Sequence, residues 1–326
     1  MRRYEGLRAV ESPVRPRAVA TLGVFDGVHR GHRDVLDRVM ARSSAVDGAS
    51  WLLTFGDHPD ALVLGEAPPP IESLDRRIER LSSTGLDAVW VLEFDERLRE
   101  MSAEEFVVEV FVRRLGVRAV LLGEDARFGR SGRGTVQTLE SLGSEHGFEV
   151  EAVPAFLHDG RPISSTRIRK SVLEGDLPLA EALLGRPYSI EGRVGTGDGR
   201  GRSIGVPTAN LVGSFPLLPP EGVYVTSVRS RSTASAASGE PIPAVTNIGR
   251  RPTFDGGTPG PSRVSVETHL LDFEGDLVGS GLELELHAKI RPEERFEDAG
   301  ALVRRIREDV ETARTFHRSR RAAGGK

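Results

Sequence analysis

Residues 18–32 read AVATLGVFDGVHRGH, an apolar and β-branched run that passes through a glycine-rich turn into an amphipathic stretch. The run predicts a buried strand, and the stretch to about residue 46 predicts a helix. Strands separated by helices predict a parallel sheet with helices on both faces, so the first half is expected to be α/β. Ligands of such sheets bind beyond the carboxyl ends of the strands. The later strands of this half are predicted at residues 51–55, 87–94, 117–123 and 148–153, with helices at 71–82 and from Ser102 to about Leu115.

The second half has a different pattern, because runs typical of β-strands dominate it. Alternation of apolar and polar residues is typical of an antiparallel sheet with one solvated face. A helical pattern returns only at about residues 297–316, so this half predicts an all-β barrel or sandwich with a terminal helix. The change falls at Gly185-Arg-Pro187 and predicts two domains, residues 1–185 and 186–326. The clearest strands are predicted at residues 222–228, 244–249, 262–271 and 282–290.

Composition excludes several classes of function. The 326 residues include no cysteine and carry a formal net charge of −4. Disulfides, thiolate metal sites and cysteine nucleophiles are therefore excluded, and a reducing cytoplasm is the expected location. The charge argues against nucleic acid as a partner, and no apolar run predicts a membrane span. Basic residues after Glu311 predict a frayed helix end rather than a nucleic-acid arm.

The segment Gly23–His32 lies between a predicted strand and a predicted helix. Its glycines allow sharp turns, and a helix N-terminus offers N–H groups to an anion. His29 and His32 add further donors, which favours a nucleotide-phosphate site. Turn glycines with two surface histidines would give the same pattern. A metal site that includes Asp26 would need another ligand at a supporting spacing, and the nearby sequence offers none.

A second motif, ISSTRIRK at residues 163–170, again follows a strand and opens a helix. A serine or threonine would cap this helix, and Arg167 and Arg169 follow on its first turns. Hydroxyls and guanidinium groups together would form a second anion site. An ordinary capped helix with solvated arginines is the alternative interpretation.

These two motifs together resemble the nucleotidyltransferase superfamily that adenylylates phosphorylated substrates. Thr54-Phe55 with His58-Pro59, and residues 122–129, make the first half similar to the FMN adenylyltransferase module of bacterial bifunctional FAD synthetases. The resemblance, from about residue 18 to 185, implies a Rossmann-like sheet that binds ATP and FMN. It implies nucleotide binding by Gly23, Phe25, Asp26, Gly31, Ser164, Ser165 and Thr166, catalysis by His29, His32 and Arg169, and flavin binding by Asp125 and Phe128.

The second half is similar to riboflavin kinases. The segment GRVGTGDGRGRSIGVPTANL at residues 192–211 carries this likeness, together with residues 247–254, 266–273 and 291–296. The chain thus resembles the bacterial bifunctional riboflavin kinase/FMN adenylyltransferase family over nearly its whole length. The resemblance implies a six-stranded antiparallel β-barrel with a terminal helix, and substrates riboflavin, FMN and ATP. It also implies that Arg291 contacts the flavin.

The kinase reaction needs a base for the ribityl hydroxyl and a cation for the phosphates. Glu267 is the candidate base, with the same role by resemblance, although a solvated outward glutamate is the alternative. Thr208 and Asn210 carry oxygen ligands suited to Mg²⁺, and the resemblance assigns them to the metal–nucleotide site, whereas alone they would fit a turn. Arg200 and Arg202 are expected near the ATP phosphates. Their glycine loop is not a Walker A loop, because it lacks the lysine and no helix can follow it.

The sequence departs from the family pattern at three places. Ala126 stands where the family has an aromatic residue, Gly56-Asp57 precedes His58-Pro59, and Val278 replaces a tyrosine. The first departure motivates an alternative in which an active kinase carries a weakened adenylyltransferase half. A non-catalytic flavin or nucleotide sensor is a third hypothesis. The bifunctional enzyme, which converts riboflavin to FMN and FMN to FAD, is the prediction that uses all the motifs. The sequence predicts no oligomeric state.

Overall fold

The computed structural model describes residues 1–11, 17–196, 205–231, 240–255 and 258–324. Contacts between Cα atoms divide the chain into two compact units, Met1–Arg167 and Ile168–Lys326. The division falls inside a helix. The domain boundary at residue 185 therefore stays a prediction.

The first unit is built on a six-stranded sheet in which the strand order is β1-β4-β3-β2-β5-β6. Every neighbouring pair is parallel, which confirms the predicted α/β fold. The strands are β1 Arg2–Glu5, β2 Ala18–Leu22, β3 Ser50–Phe55, β4 Ala88–Leu92, β5 Val117–Gly123 and β6 Glu149–Val153, and a hairpin adds β7 Leu157–His158 and β8 Arg161–Pro162. The helices are α1 Arg30–Ala45, α2 Asp60–Val63, α3 Leu74–Ser82, α4 Glu96–Glu100, α5 Ala103–Phe106, a π-helix Val107–Leu115 and α6 Val136–His146.

The inner strands of this sheet are apolar because both faces are covered. Every residue of β4 is buried, and Trp90 is fully enclosed in the core. The strand order reverses at β2, which has β3 on one side and β5 on the other. Loops that leave two such strands diverge, and the crevice between them is where open α/β sheets bind ligands. The glycine-rich segment after β2 lies at this point.

Capping side chains set the helix starts in this unit. Ser102 Oγ accepts a hydrogen bond from the Glu105 amide at 3.1 Å, and the Glu105 carboxylate accepts one from the Ser102 amide at 2.8 Å, which confirms the predicted capping box. Helix α3 begins at Leu74 rather than at 71, because Ser73 caps it. The predicted helix to Leu115 changes from α-helical to π-helical hydrogen bonding after Phe106.

The second unit contains a closed antiparallel barrel with the strand order β10-β13-β12-β11-β14-β9. This confirms the barrel expected from the resemblance. Helix α7, Ser165–Leu173, spans the division between the units, and α8, Leu177–Leu184, follows it. The barrel strands are β9 Tyr188–Gly195, β10 Ala209–Val212, β11 Gly222–Ser230, β12 Ile242–Asp255, β13 Thr258–Leu270 and β14 Gly281–Arg291, and α9 Ala299–Gly324 follows.

Side chains along each barrel strand point alternately to the two faces of the barrel wall. On one face the hydroxyls of Thr226, Thr246 and Thr268 form a fully buried row, with oxygen–oxygen distances of 2.8 and 3.0 Å. On the other face, Val225 and Val245 belong to a cluster that includes Ala313 of α9. Residues next to Thr246 on β12 and next to Thr268 on β13 therefore point to the side of the barrel wall that faces α9.

Helix α9 runs to Gly324, eight residues beyond the predicted end at 316. Its basic end is not frayed, contrary to the prediction, because the arginines form ion pairs. Arg314 pairs with Asp272 at 2.7 Å, and Arg320 pairs with Glu181 of α8. In the described part of the chain, no helix is both long enough and apolar enough to cross a bilayer. The serine- and alanine-rich stretch SRSTASAASGEP at residues 230–241 predicts a solvent-exposed loop, and most of it, residues 232–239, lies outside the described residues.

Candidate active sites

The loop after β2 has an unusual backbone. Phe25, Gly27 and Val28 have φ angles of 54°, 80° and 36°. Residues other than glycine rarely adopt a left-handed backbone conformation. They keep it only when the surrounding groups fix it. A Cβ at Gly23 would lie 3.0 Å from the Phe25 ring, so glycine is needed for this close approach. The glycines of the motif thus serve the turn itself.

Three rings form a stack at the start of α1. The His29 and His32 rings lie 3.5 Å apart with planes inclined by 16°, and Phe25 stacks on the other side of His32 at 4.5 Å. His29 is the N-cap residue, since its Nδ1 accepts a hydrogen bond from the His32 amide at 3.2 Å. Neutral His29 then carries its proton on Nε2. The stack and the cap together set the orientation of both imidazoles.

The structure brings the two predicted anion motifs together. Ser165 Oγ donates a hydrogen bond to the main-chain oxygen of Asp26 at 2.9 Å. Ser164 precedes α7 and caps it, since its Oγ accepts a hydrogen bond from the Arg167 amide at 3.2 Å. The N-terminus of α7, which includes Thr166, therefore adjoins the loop that leads to His29. Helix N-termini carry partial positive charge, so this junction suits phosphate.

Other predicted residues of this motif have structural contacts. The Asp26 carboxylate is buried and accepts hydrogen bonds from the Ile71 amide at 3.0 and 3.2 Å. A Cβ at Gly31 would lie 3.3 Å from the His29 ring. Arg169 is buried in α7, four residues after Ser165 and hence on the same helix face. Direct nucleotide contacts by Asp26, Gly31 and Arg169 stay predictions.

A cavity of about 540 Å³, here named the sheet-edge cavity, opens at the carboxyl ends of β2, β3 and β5. Phe55, Phe94, Phe106 and Phe128 give it aromatic walls, and Arg99, Arg127 and Arg130 add cationic groups. Such a lining suits a planar aromatic ligand with an anionic group. Phe128 and Ala126 both line this cavity, and flavin contact by Phe128 stays a prediction. Asp125 is exposed and does not contribute to this lining.

A second cavity of about 520 Å³, here named the proline-lined cavity, shares His58, Val24 and Phe94 with the first. Its walls include Pro68 and Pro70. Gly56 and Asp57, which depart from the family pattern, also line it. The guanidinium group of Arg77 is buried beside it and donates hydrogen bonds to main-chain oxygens. No sequence motif pointed to Arg77, because its partners are distant in the chain.

Glu267, the candidate base of the second unit, belongs to a row of residues that are opposite one another on neighbouring strands. Asn210 of β10 is opposite Glu267 of β13, and Glu267 is opposite Asn247 of β12. Paired residues of neighbouring strands point to the same face. The row continues to Val223 and Arg291. It runs across the outer wall of the barrel, on the side that α9 covers.

Glu267 lines a cavity of about 350 Å³, here named the helix-side cavity. Thr208, Asn247, His269 and Arg291 line it as well. The Glu267 carboxylate accepts a hydrogen bond from Ser265 Oγ at 2.8 Å, and a ring nitrogen of His269 lies 2.8 Å from the Pro207 oxygen. A carboxylate held in a cavity that also contains amide and hydroxyl groups can accept the proton of a bound alcohol.

Thr208 and Asn210 line a neighbouring cavity of about 290 Å³, here named the strand-end cavity. Thr208 lines the strand-end cavity and the helix-side cavity. The hydroxyl and amide oxygens fit Mg²⁺, which keeps several waters and shares phosphate oxygens. The described residues hold no group of three or more histidines and acidic residues that could bind a metal. Val278 is more than half exposed and lines this cavity.

Arg291 has a buried acidic partner. Its guanidinium donates hydrogen bonds to the Asp309 carboxylate at 2.8 to 3.2 Å and lies 5.6 Å from the Phe296 ring. This ion pair ties β14 to α9 at the edge of the helix-side cavity. Contact between Arg291 and a flavin stays a prediction. Arg200 and Arg202 lie outside the described residues.

Comparison with known proteins identifies one family for the first half of the chain and another for the second half. The family model described as FAD synthetase matches residues 11–167, and the one described as riboflavin kinase matches residues 184–317. The first match covers the parallel sheet and the second covers the barrel. The class of protein is therefore a fusion of a nucleotidyltransferase fold with a riboflavin kinase fold.

Three curated relatives share both halves, and each is named a bifunctional riboflavin kinase/FMN adenylyltransferase. The Pseudomonas fluorescens protein is 39% identical over 91% of this chain and 92% of its own length. The Escherichia coli K12 protein is 35% identical over 97% and 98%, and the Bacillus subtilis protein is 32% identical over 91% and 92%. The chain belongs to the bifunctional riboflavin kinase/FMN adenylyltransferase family.

A solved structure extends this likeness to the fold. It is named a macrolide-efflux protein from Streptococcus pneumoniae, and it is 27% identical to this chain. The superposition has a TM-score of 0.85 and covers 96% of this chain and 99% of the other. The fold of that protein is therefore shared along nearly the whole chain.

Proposed function

We propose that this protein phosphorylates riboflavin to FMN and then adenylylates FMN to FAD, with ATP as the co-substrate of both reactions. The observation that supports this best is that each unit contains a candidate site. The His29 loop meets the Ser165 hydroxyl in the first, and Glu267 stands in register with Asn210 in the second. The relatives with both halves carry the names of both activities.

In the first unit, the FMN phosphate attacks the α-phosphorus of ATP and pyrophosphate leaves. A phosphate monoester is already largely ionised at neutral pH, so the reaction needs no general base. The site must instead align the two phosphates and stabilise the charge that develops. His29, His32 and the N-terminus of α7 supply donors for this purpose. The phenylalanines of the sheet-edge cavity suit the flavin ring.

In the second unit, the ribityl hydroxyl of riboflavin attacks the γ-phosphorus of ATP, and ADP leaves. Glu267 accepts the hydroxyl proton, and the helix-side cavity that contains Glu267 holds the flavin. Thr208 and Asn210 would hold Mg²⁺, which when bound offsets the charge of the phosphates. Thr208 lines both cavities, so it lies where the nucleotide and the flavin would meet.

The departure at Ala126 does not favour a weakened adenylyltransferase half. Four phenylalanines still line the sheet-edge cavity around Ala126. Smaller side chains widen a cavity without removing the stacking surfaces that remain. The cytoplasm is the proposed location, because the chain has no cysteine to protect or oxidise.

A product assay tests this function. The purified protein is given riboflavin, ATP and Mg²⁺, and flavins are separated by chromatography at successive times. FMN should appear first and FAD should follow, and supplied FMN should give FAD without a lag. If a folded preparation forms neither product, the proposal is wrong, and FMN without FAD would restrict it to the kinase.

A further inference from the structure

The loop that carries His29 needs external support. Within five residues, Phe25 and Val28 have positive φ angles although neither is glycine. Such a backbone relaxes unless surrounding groups fix it. The two imidazoles at its end are useful only if their position is exact, because small displacements at a reacting centre reduce rates strongly. The groups that hold this loop are therefore candidates for a role in the reaction.

Arg77 makes the most direct contact of this kind. Its Nη1 donates a hydrogen bond to the Val24 oxygen at 2.5 Å, and its Nη2 donates to the Phe55 oxygen at 2.5 Å and the Gly56 oxygen at 3.4 Å. Val24 begins the loop, and Phe55 ends β3 and lines the sheet-edge cavity. One guanidinium thus joins the ends of two neighbouring parallel strands.

The setting of Arg77 is costly for a cation. Its side chain is 5% exposed, and no carboxylate of the described residues lies within 4 Å of it. Burial lowers the pKa of this guanidinium, while the more distant carboxylates of Asp26, Glu72 and Asp57 act in the opposite direction. An apolar residue would fill the same space at lower cost. The planar fork with its fixed spacing is what arginine adds.

We propose that Arg77 is a positioning residue for adenylyl transfer, which holds the Val24 and Phe55 carbonyls and thereby sets the His29 loop against the sheet-edge cavity. This inference rests on the proposed function of that loop. Arg77 itself need not touch either substrate. Replacement of Arg77 should displace the imidazoles of His29 and His32 relative to the FMN phosphate.

The loop has other supports, so it should stay folded when Arg77 is changed. Thr54 Oγ1 donates a hydrogen bond to the same Val24 oxygen at 2.8 Å. The Ile71 amide binds the Asp26 carboxylate, and the Ile71 side chain lies 3.0 Å from where a Gly27 Cβ would be. Lysine in place of Arg77 keeps the charge but can reach only one of the two strand ends. Arg77→Lys therefore separates positioning from folding.

The test measures FAD formation from supplied FMN with the full chain. Arg77→Lys should lower kcat about 100-fold and change the KM for FMN and ATP much less. Riboflavin phosphorylation in the same preparation should be unchanged, since the kinase site lies in the other unit. Arg38→Ala is the matched control, because it removes an exposed guanidinium of α1 that pairs with Asp34. It should leave both activities at the wild-type level.

A spectroscopic readout distinguishes positioning from a merely structural role. Stacked rings shift the imidazole resonances of His29 and His32, and Arg77→Lys should reduce these ring-current shifts in two-dimensional NMR spectra of the labelled chain. Unchanged imidazole shifts, or an unchanged kcat, in a folded Arg77→Lys protein would overturn the proposal. Wild-type protein that forms no FAD would instead contradict the proposed function itself.

If Arg77→Lys does not fold, Thr54→Val tests the positioning proposal instead. This change keeps the shape of a fully buried side chain and removes the second donor to the Val24 oxygen. FAD formation in Thr54→Val should fall about tenfold. Full activity of Thr54→Val would contradict the claim that the Val24 carbonyl must be held.

Discussion

The imidazole of His29 both caps α1 and stacks on His32. Its Nδ1 binds the His32 amide at 3.2 Å, and the two rings lie 3.5 Å apart. A capping contact stabilises a helix start whatever the chemistry of the site. Loss of activity after a change at His29 therefore has two possible causes, which a suitable pair of substitutions can separate.

Asparagine is among the best N-cap residues, so His29→Asn should keep the cap and remove the imidazole. FAD formation from FMN should then fall about 100-fold or more, because a donor to the reacting phosphates is lost. Stability to urea should stay near that of the wild type. His29→Ala should show the same loss of rate and also lose about 1 kcal/mol of stability. An active His29→Asn protein would show that His29 is only a cap.

Helix α9 is joined to the barrel by the buried pair of Arg291 and Asp309. Their side chains are 8% and 3% exposed. Asp309→Asn leaves a buried arginine without its countercharge, so the unfolding free energy of the second unit should fall by about 3–5 kcal/mol. Hydrogen exchange of the β14 amides measures this change. FAD formation from FMN should persist.

A double substitution separates the structural role of Arg291 from flavin binding. Arg291→Met with Asp309→Leu replaces the pair by apolar groups and should recover most of the stability. If Arg291 contacts the flavin, riboflavin phosphorylation should remain impaired in this stable protein. Wild-type KM for riboflavin would show that Arg291 serves only to hold α9.

Strands β11 and β14 and helices α8 and α9 meet around His287. Burial, followed by the charge of Arg320, lowers the pKa of His287 to about 4, with His317 acting the same way and Glu285 and Glu181 opposing them. Its Nε2 lies 2.8 Å from Ser227 Oγ. An unfolded histidine has a pKa near 6.5, so below that pH the unfolded chain binds more protons than the folded one.

Stability of the second unit should therefore decrease as the pH falls from about 6.5 towards 4. The His287 contribution should amount to about 2 kcal/mol between pH 7 and pH 5. Hydrogen exchange of β11 and β14 amides at the two pH values measures it. His287→Gln should reduce this pH dependence, and an equal dependence in the variant would contradict the account.

Elements with local signals were predictable from the sequence. The strands β2 to β5 are short apolar runs between helical patterns, and the Ser102 capping box is a four-residue signal. Strands β1 and β10 were not predicted, because RRYE and ANLV carry no alternation that marks a strand alone. They form because β4 and β13 offer them partners.

The candidate sites were predictable only in part, for the same reason. Residue types at Glu267, Thr208 and His29 indicated chemistry, but roles came from the family resemblance. The row of Asn210, Glu267 and Asn247 depends on strand register, which links distant segments. Arg77 was missed because its role lies in contacts with residues 53 and 22 positions away in the chain.

At the scale of the whole molecule, the described residues form two candidate sites on different stretches of the chain. The His29 loop and the sheet-edge cavity belong to the unit Met1–Arg167, and Glu267 with the helix-side cavity belongs to the unit Ile168–Lys326. Glu267 can therefore be changed without altering the residues of the His29 loop or of the sheet-edge cavity. The product of the kinase site, FMN, is the substrate of the adenylyltransferase site.

Glu267→Gln provides the most direct test of this two-site account. With riboflavin and ATP, FMN formation should fall about 1,000-fold, because the base is lost, while FAD formation from supplied FMN should equal that of the wild type. Glu311→Gln, on the exposed face of α9, is the control and should change neither rate. Loss of both activities in a folded Glu267→Gln protein, or full FMN formation, would contradict the account.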